Sequence, residues 1–176
     1  MSELDLFIDI NEIDKNLLFE AVHLDIRETL LKEVCKNLKA DEILYLKAKK
    51  LYFSSSDLNA TKKLVKRICK CEVSDGDLSW MNMCIKAFLD KKDKRETISE
   101  ETKASLLSKQ KYRCAICGDR IERNNVHIDH IIPWDYVGDE LKDNYQALCS
   151  DCNLHKSNHV AKTVTNIILH KQEVSI

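Results

Sequence analysis

The sequence predicts a mainly α chain with a small α+β unit towards its C-terminal end. Only 3 Gly and 1 Pro occur among 176 residues, which favours long helices with short connections. Apolar residues recur at three- and four-residue steps through much of residues 1–95, as expected for amphipathic helices. Beyond about residue 110, cysteine pairs, histidines and short alternating stretches replace this periodicity. We therefore expect a helical N-terminal region followed by a smaller unit of different character.

Helical periodicity divides the N-terminal region into successive segments. A first long helix is predicted around residues 17–38, and Asp41 can cap the next one. Residues 58–70 show one apolar and one basic face, which predicts a third helix. Residues 74–77 (Ser-Asp-Gly-Asp) have the composition of a turn, and a short amphipathic helix follows around residues 80–88.

A charged run at residues 91–95 is the best candidate for a linker. It predicts a helical region at residues 1–95 and a second unit at residues 96–176. Ser99, followed by two glutamates, is a good N-cap for the first helix of that unit. A last helix is predicted from Val160 to His170.

The net charge of −1 hides a strong asymmetry along the chain. Residues 1–34 contain nine acidic and three basic side chains, whereas residues 47–70 contain eight basic side chains and one acidic one. Such a basic segment can bind phosphates even when the net charge of the protein is near zero, although a solvated helix face is the more common explanation. The acidic segment fits an ordinary surface best, with a partner protein or the basic face as alternatives. The candidate DNA-contacting residues of the basic helix are Lys62, Lys63, Lys66, Arg67 and Lys70.

The sequence predicts a cytoplasmic protein. Glu3 and Asp5 lie where a signal peptide would be basic, and no apolar run approaches the roughly 20 residues of a membrane span. The eight cysteines are then expected in a reducing compartment, as metal ligands or free thiols rather than disulfides.

Two CxxC pairs predict a structural zinc site. Cys114 and Cys117 form one pair and Cys149 and Cys152 the other, a spacing that lets four thiolates surround one Zn²⁺. Gly118 follows the first pair, where the backbone often needs a positive φ. The alternatives are four unrelated thiols or redox motifs, and the matched spacing makes zinc the better interpretation. The remaining cysteines are expected to be small buried hydrophobic residues: Cys35, Cys69, Cys71 and Cys84.

The segment between the two pairs is longer than a zinc ribbon requires. It spans the 31 residues 118–148, against about 15–20 in a plain ribbon. Residues 126–133 alternate in polarity and end at a proline, which predicts a short strand delivering Asp129 and His130 to its end. After the second pair, a helix is expected to begin at Asn153.

Four short motifs in this region carry a family resemblance. They are Arg113-Cys-Ala-Ile-Cys-Gly, Ile128-Asp-His-Ile-Ile-Pro, Asp143-Asn-Tyr-Gln-Ala-Leu-Cys and Cys152-Asn-Leu-His-Lys. In this order they resemble the zinc-containing HNH endonucleases over residues 105–160. The resemblance implies a ββα-metal fold, in which a β-hairpin and one helix hold a single catalytic divalent ion. It does not extend to residues 1–95.

The resemblance also implies roles for individual residues. His130 matches the general base, Asp129 the metal ligand preceding it, Asn144 the middle asparagine and Asn153 the third motif position. A neutral histidine can accept a proton from water near pH 7. Asp129 and Asn153 offer hard oxygen ligands, which suit a catalytic Mg²⁺ or Mn²⁺. The chain departs from the family in having Asn where some members have His at the third position, and in having only Gly138 where two glycines are common.

Two structural expectations accompany these roles. Neighbouring residues of a regular strand point to opposite faces, so an irregular strand end is predicted at Asp129 and His130 if both are to point inward. Asn144 is expected to hydrogen-bond the backbone across the hairpin and hold His130, without touching substrate. Arg113 and Lys156 are candidate phosphate contacts. His127 is expected to be an ordinary strand residue. His155 and His159 are expected to be exposed, with a further metal ligand or a phosphate contact as the alternative.

The predicted function is that of a metal-dependent endonuclease acting on DNA, double-stranded DNA being the expected substrate. One alternative is a zinc-stabilised module that binds nucleic acid or protein without cleaving. Another is a nuclease subunit active only within a larger complex, since HNH domains are often found in restriction, mobile-element and phage-defence systems. In that case the N-terminal helical region would provide the surface for a protein partner.

Overall fold

The computed structural model describes residues 2–10, 13–54 and 58–157. Its helical part comprises α1 (Glu3–Ile10), α2 (Lys15–Ala40), α3 (Glu42–Ser54), α4 (Leu58–Cys69), α5 (Asp75–Asp90) and α6 (Glu100–Lys109). The small α+β unit comprises a 3-10 turn (Arg123–Asn125), β1 (His127–His130), α7 (Trp134–Val137), β2 (Tyr145–Leu148) and α8 (Ser150–Lys156). The predicted fold class is confirmed. The helix predicted at Val160–His170 lies outside the described residues.

Side-chain caps start the helices at the positions that the sequence indicates. The Asp41 carboxylate accepts the Leu44 N–H at 2.9 Å at the start of α3. The Ser99 hydroxyl accepts the Thr102 N–H at 3.2 Å at the start of α6. Each cap satisfies an N–H group that has no partner within the helix, and each confirms a predicted helix start. No helix within the described ranges is long and apolar enough to cross a membrane.

Two boundaries differ from those predicted. Residues 75–77 form the first turn of α5 rather than a loop, because Ser74 is an N-cap whose hydroxyl accepts the Asp77 N–H at 3.2 Å. Similarly, α8 begins at Ser150 and not at Asn153, with the Cys149 sulfur accepting the Cys152 N–H at 3.5 Å. In both cases a residue assigned to a turn or a metal knuckle also caps a helix.

The main hydrophobic core joins the helical region to part of the α+β unit. Helices α2, α4 and α5 pack around side chains that are fully buried, among them Leu31, Met81 and Ile85. Ile132 and Val137 belong to the same buried cluster, and α7 packs against α5 and α2. The segment 91–95, which the sequence offers as a linker, is a non-helical connection. The division at residues 95 and 96 remains a prediction, and this shared core means that the two parts contact each other directly.

A second, smaller core lies beneath the hairpin. It contains Leu107 of α6, Cys114, and Ala147 and Leu148 of β2. Gln110, at the end of α6, fastens the helix to β2, since its side chain accepts the Ala147 N–H at 2.8 Å and donates to the Ala147 carbonyl at 3.0 Å. The same two-bond pairing that a neighbouring strand would make therefore holds α6 on the hairpin.

The cysteines outside the two pairs pack as apolar residues. Cys35 and Cys84 are fully buried in the main core, which confirms the prediction for them, while Cys69 and Cys71 pack half-buried against it. Burial raises the pKa of Cys35 to about 12, so its thiol stays protonated at neutral pH.

Candidate active site and four-cysteine metal centre

The two CxxC pairs come together into one cluster. The sulfur atoms of Cys114, Cys117, Cys149 and Cys152 all lie within 4.8 Å of one another, and those of Cys117 and Cys149 are 3.9 Å apart. Gly118 adopts a φ of +79°, as predicted, and its N–H donates to the Cys114 carbonyl at 3.0 Å, which closes the first turn. Among the described residues no other group of three or more potential His, Cys, Asp or Glu ligands gathers in this way.

The backbone around the cluster favours the thiolate form of Cys114. Burial opposes ionisation of Cys114, but hydrogen bonds from the backbone of Cys117, Cys149 and Ile116 outweigh it and lower the pKa of that thiol to about 7. Burial raises the pKa of Cys117, and so a metal ion is the cation that would keep four neighbouring sulfurs ionised together. Four thiolates in one cluster are the ligand set of a closed structural Zn²⁺ site, and these residues fit that ion.

The hairpin of the α+β unit is regular through both predicted active-site residues of β1. Asp129 pairs with Gln146 and His130 with Tyr145 in the antiparallel ladder. The prediction of an irregular strand end between Asp129 and His130 is therefore wrong, because the bend begins only at Ile131. Regular pairing places the two side chains on opposite faces of β1. The structure accordingly does not bring both of them to one inward face.

Asn144 fastens the end of the hairpin, as predicted. Its side-chain oxygen accepts the Ile132 N–H at 2.8 Å and its amide donates to the Ile132 carbonyl at 2.9 Å. Its own carbonyl accepts the Ile131 N–H at 2.8 Å. With 3% of its surface exposed, Asn144 is buried from solvent. It fixes the backbone immediately after His130.

His130 is held by Asp139, a residue that the motifs did not reveal. The His130 Nε2 atom lies 2.9 Å from Asp139 Oδ1, and the imidazole lies against the ring of Tyr145 with centroids 4.7 Å apart. Only 9% of His130 is exposed. Asp139 follows Gly138, whose φ of +63° turns the chain back towards β1. This positive φ favours glycine, and a Cβ atom there would also displace the side chains of Glu140 and Lys91, whose Cγ atom would lie 2.8 Å away.

Asp139 is a strong acceptor for several groups at once. Burial raises its pKa, but hydrogen bonds from the Glu96 backbone and from the side chains of Tyr145, Trp134 and His130 outweigh burial and lower its pKa to about 2. It is therefore a carboxylate at any neutral pH. The signal that could have found it is the Gly-Asp pair in the loop after the Ile128–Pro133 motif.

Asp129 faces α8 and forms an ion pair there. The Lys156 Nζ atom lies 2.7 Å from Asp129 Oδ2 and donates to the His130 carbonyl at 2.8 Å. Lys156 is 2% exposed, so its ammonium group cannot reach a phosphate outside the protein. The prediction of Lys156 as a phosphate contact is therefore wrong. A charge in the interior needs partners, and Asp129 and the β1 backbone provide them.

Asn153 lies on α8, one turn before Lys156. Its residue is half-buried, and none of the described residues hydrogen-bonds its side chain. Helix α8 packs on β1, so the strand carrying Asp129 and the helix carrying Asn153 are neighbours. One carboxylate and one amide oxygen suit a hard divalent ion, which keeps several waters when it has few protein ligands. Carboxylate and amide oxygens are the ligand types that Mg²⁺ or Mn²⁺ prefers, and in this structure the Asp129 carboxylate is paired with Lys156.

The remaining candidate contacts are on the surface. The basic side chains of α4 are exposed, and Lys66 pairs with Glu72 at 2.7 Å. Arg113 is exposed and donates to the Gly118 carbonyl at 3.0 Å, beside the first cysteine pair. His127 is a residue of β1 and His155 is exposed, as expected, and His159 lies outside the described residues.

Comparison with known proteins identifies the C-terminal segment. The family model for HNH endonuclease matches residues 114–159, which include the four-cysteine cluster, β1, β2 and α8. No curated protein and no solved structure matches the chain. The matched family and the four-cysteine cluster with its two-stranded hairpin and following helix agree with one another. Residues 114–159 of this chain thus match the family model for HNH endonuclease, a match that associates this segment with nucleic acid.

Proposed function

We propose that this protein is a metal-dependent endonuclease that hydrolyses phosphodiester bonds of DNA. The observation that carries the proposal is the tethering of His130 at the end of β1, by Asp139 through its ring and by Lys156 through its carbonyl, inside an HNH segment. A zinc ribbon that only binds has no use for a histidine oriented in this way.

In the proposed reaction His130 accepts a proton from the attacking water. General-base assistance of this kind contributes roughly 10²–10⁴-fold to a rate. Asp139 holds the imidazole ring of His130 in place, and the ring is little exposed. Both features restrict motion of the ring and so keep the base aligned for proton transfer.

Asp129 and Asn153 would hold the catalytic divalent ion. That ion would supply Lewis-acid stabilisation of the phosphate and of the departing oxygen. Because Asp129 and His130 are on opposite faces of β1, a phosphate at the edge of this strand would have the metal ligand on one side and the base on the other. Lys156 keeps the Asp129 carboxylate and the β1 backbone in fixed positions.

The exposed basic face of α4 would track the DNA backbone outside the cleavage site. Lysine and arginine contacts with phosphates supply affinity and position without reading sequence. Double-stranded DNA is the substrate proposed, because a basic helix face separate from the catalytic hairpin suits an extended duplex.

One observation favours the partner-dependent form of this function. Helices α1 and α2 expose large apolar side chains, with Phe19 66% and Ile26 52% exposed. Large apolar groups of this kind, grouped on a surface, mark sites of association. A nuclease subunit that joins a larger complex through its N-terminal region is therefore the second candidate.

Cleavage of supercoiled plasmid by wild type, His130→Ala and His127→Ala tests the proposal. His127 is a matched control, because it is an exposed histidine of the same strand. We expect cutting with Mg²⁺ or Mn²⁺ and none with EDTA, loss of cutting in H130A at unchanged zinc content, and normal cutting in H127A. Equal cutting by H130A would contradict the proposed role of His130. Failure of the wild type alone to cut would contradict independent activity and favour the subunit.

A further inference from the structure

Asp139 has every acceptor position of its carboxylate occupied. Oδ1 accepts from His130 Nε2 at 2.9 Å and from the Tyr145 hydroxyl at 2.8 Å. Oδ2 accepts from Trp134 Nε1 at 2.8 Å and from the Glu96 backbone N–H at 2.9 Å. Its side chain is only 6% exposed, so these four partners define its orientation.

This arrangement determines which nitrogen of His130 carries hydrogen. An ionised carboxylate only accepts hydrogen bonds, so the Nε2 atom facing it must be the donor. In the neutral imidazole the other nitrogen, Nδ1, then has the free lone pair. We propose that Asp139 is a positioning residue that holds His130 as the Nε2–H tautomer and presents Nδ1 as the nitrogen that accepts the proton from water. The inference rests on the proposed function for its catalytic consequence, but the tautomer itself does not.

Several residues that orient the Asp139 carboxylate, directly or through Trp134, lie in the connection between the helical region and the α+β unit. The Lys91 ammonium lies 3.8 Å from the centroid of the Trp134 ring, and the Arg95 guanidinium lies 5.0 Å from it. These cations fix the indole whose N–H group binds Asp139 Oδ2, and Glu96 supplies the second donor to that oxygen. The orientation of the base therefore depends on Lys91, Arg95 and Glu96 of this connection as well as on the HNH motifs.

Asp139→Asn gives a sharp prediction because Trp134 Nε1 and the Glu96 N–H can only donate. The single oxygen of an asparagine must face these two donors, and its NH₂ group then faces His130. His130 would have to accept through Nε2 and carry its hydrogen on Nδ1, the wrong nitrogen for the reaction. Replacement of an orienting aspartate by asparagine impairs a catalytic histidine in this manner.

The test combines nitrogen NMR of ring-labelled histidine with steady-state cleavage. Wild type should show the Nε2–H tautomer at His130, identified through H130A. D139N should show the Nδ1–H tautomer, lose roughly 10²–10⁴-fold in kcat and keep its KM for DNA within about threefold. Asp93→Asn is the matched control, since Asp93 is an exposed carboxylate of the same connection, and it should retain the wild-type tautomer and kcat.

Each outcome bears on one of the two proposals. An Nδ1–H tautomer in wild type would overturn the role of Asp139, and this measurement does not depend on cleavage. Full kcat in D139N would also overturn it while leaving the nuclease proposal intact. If wild type shows the Nε2–H tautomer but does not cleave, the positioning by Asp139 is supported and the independent nuclease activity fails.

Discussion

The buried ammonium group of Lys156 joins α8 to both predicted catalytic residues of β1. Its Nζ atom lies 2.7 Å from Asp129 Oδ2 and 2.8 Å from the His130 carbonyl oxygen. One side chain thus neutralises the proposed metal ligand and holds the backbone of the proposed base. The relation between strand and helix in this small unit depends on this charged contact.

Lys156→Met should destabilise the protein. It keeps the apolar part of the side chain but leaves Asp129 without its cation and the His130 carbonyl without its donor, and breaking a buried pair in this way costs about 3–5 kcal/mol. Urea denaturation monitored by circular dichroism measures the loss. Lys109→Met replaces an exposed lysine at the end of α6 and should change the unfolding free energy by no more than about 0.5 kcal/mol. An unchanged midpoint for K156M would contradict the buried contact.

Asn144→Ala should also destabilise the hairpin. The substitution leaves the buried N–H and carbonyl groups of Ile132 without partners, each worth about 1–3 kcal/mol. Thermal unfolding gives the effect, with Asn124→Ala as the control because Asn124 is exposed. Equal melting temperatures for both variants would show that Asn144 does not fasten the hairpin.

The four-cysteine cluster should bind one zinc ion per chain. Cys117→Ser should lose most of the bound zinc and lower the melting temperature, because it removes one of four ligands of a structural site. Cys71→Ser should keep the metal, since Cys71 lies outside the cluster and packs against the helical core. Metal analysis of the purified variants decides this, and zinc retained in full by C117S would argue against the site.

Charge reversal on α4 should weaken DNA binding and its salt dependence. Lys63→Glu with Arg67→Glu removes two proposed phosphate contacts, so the slope of log K against log salt should fall by roughly 2 in magnitude. Lys36→Glu with Lys47→Glu makes the same charge change at exposed lysines off this face and should have a smaller effect. Equal slopes in the two double variants would contradict a specific role for α4.

The sequence could predict the parts of the fold and site that depend on short-range patterns. Helix caps such as Asp41 and Ser99, the positive φ at Gly118 and the gathering of the cysteine pairs all follow from local chemistry and spacing. The cross-hairpin bonds of Asn144 also agree with the role expected from its motif position.

The sequence could not predict the contacts between residues that are distant along the chain. Asp139 reaches His130 only because Gly138 reverses the chain and because Trp134 and Glu96 orient its carboxylate. Lys156 resembles any solvated lysine near a helix end until packing of α8 on β1 buries it beside Asp129. The regular pairing of β1 through His130 likewise depends on β2, which local sequence does not specify.

Single-turnover cleavage of a labelled DNA duplex by H130A and H127A, at saturating enzyme and Mg²⁺, tests the role of His130 in the chemical step. Saturating enzyme separates the chemical step from binding, and zinc content verifies that the scaffold is intact. If His130 is the general base, H130A should be slower than wild type by roughly 10²–10⁴-fold, while H127A stays within about twofold. A rate for H130A equal to that of H127A would contradict His130 as the general base.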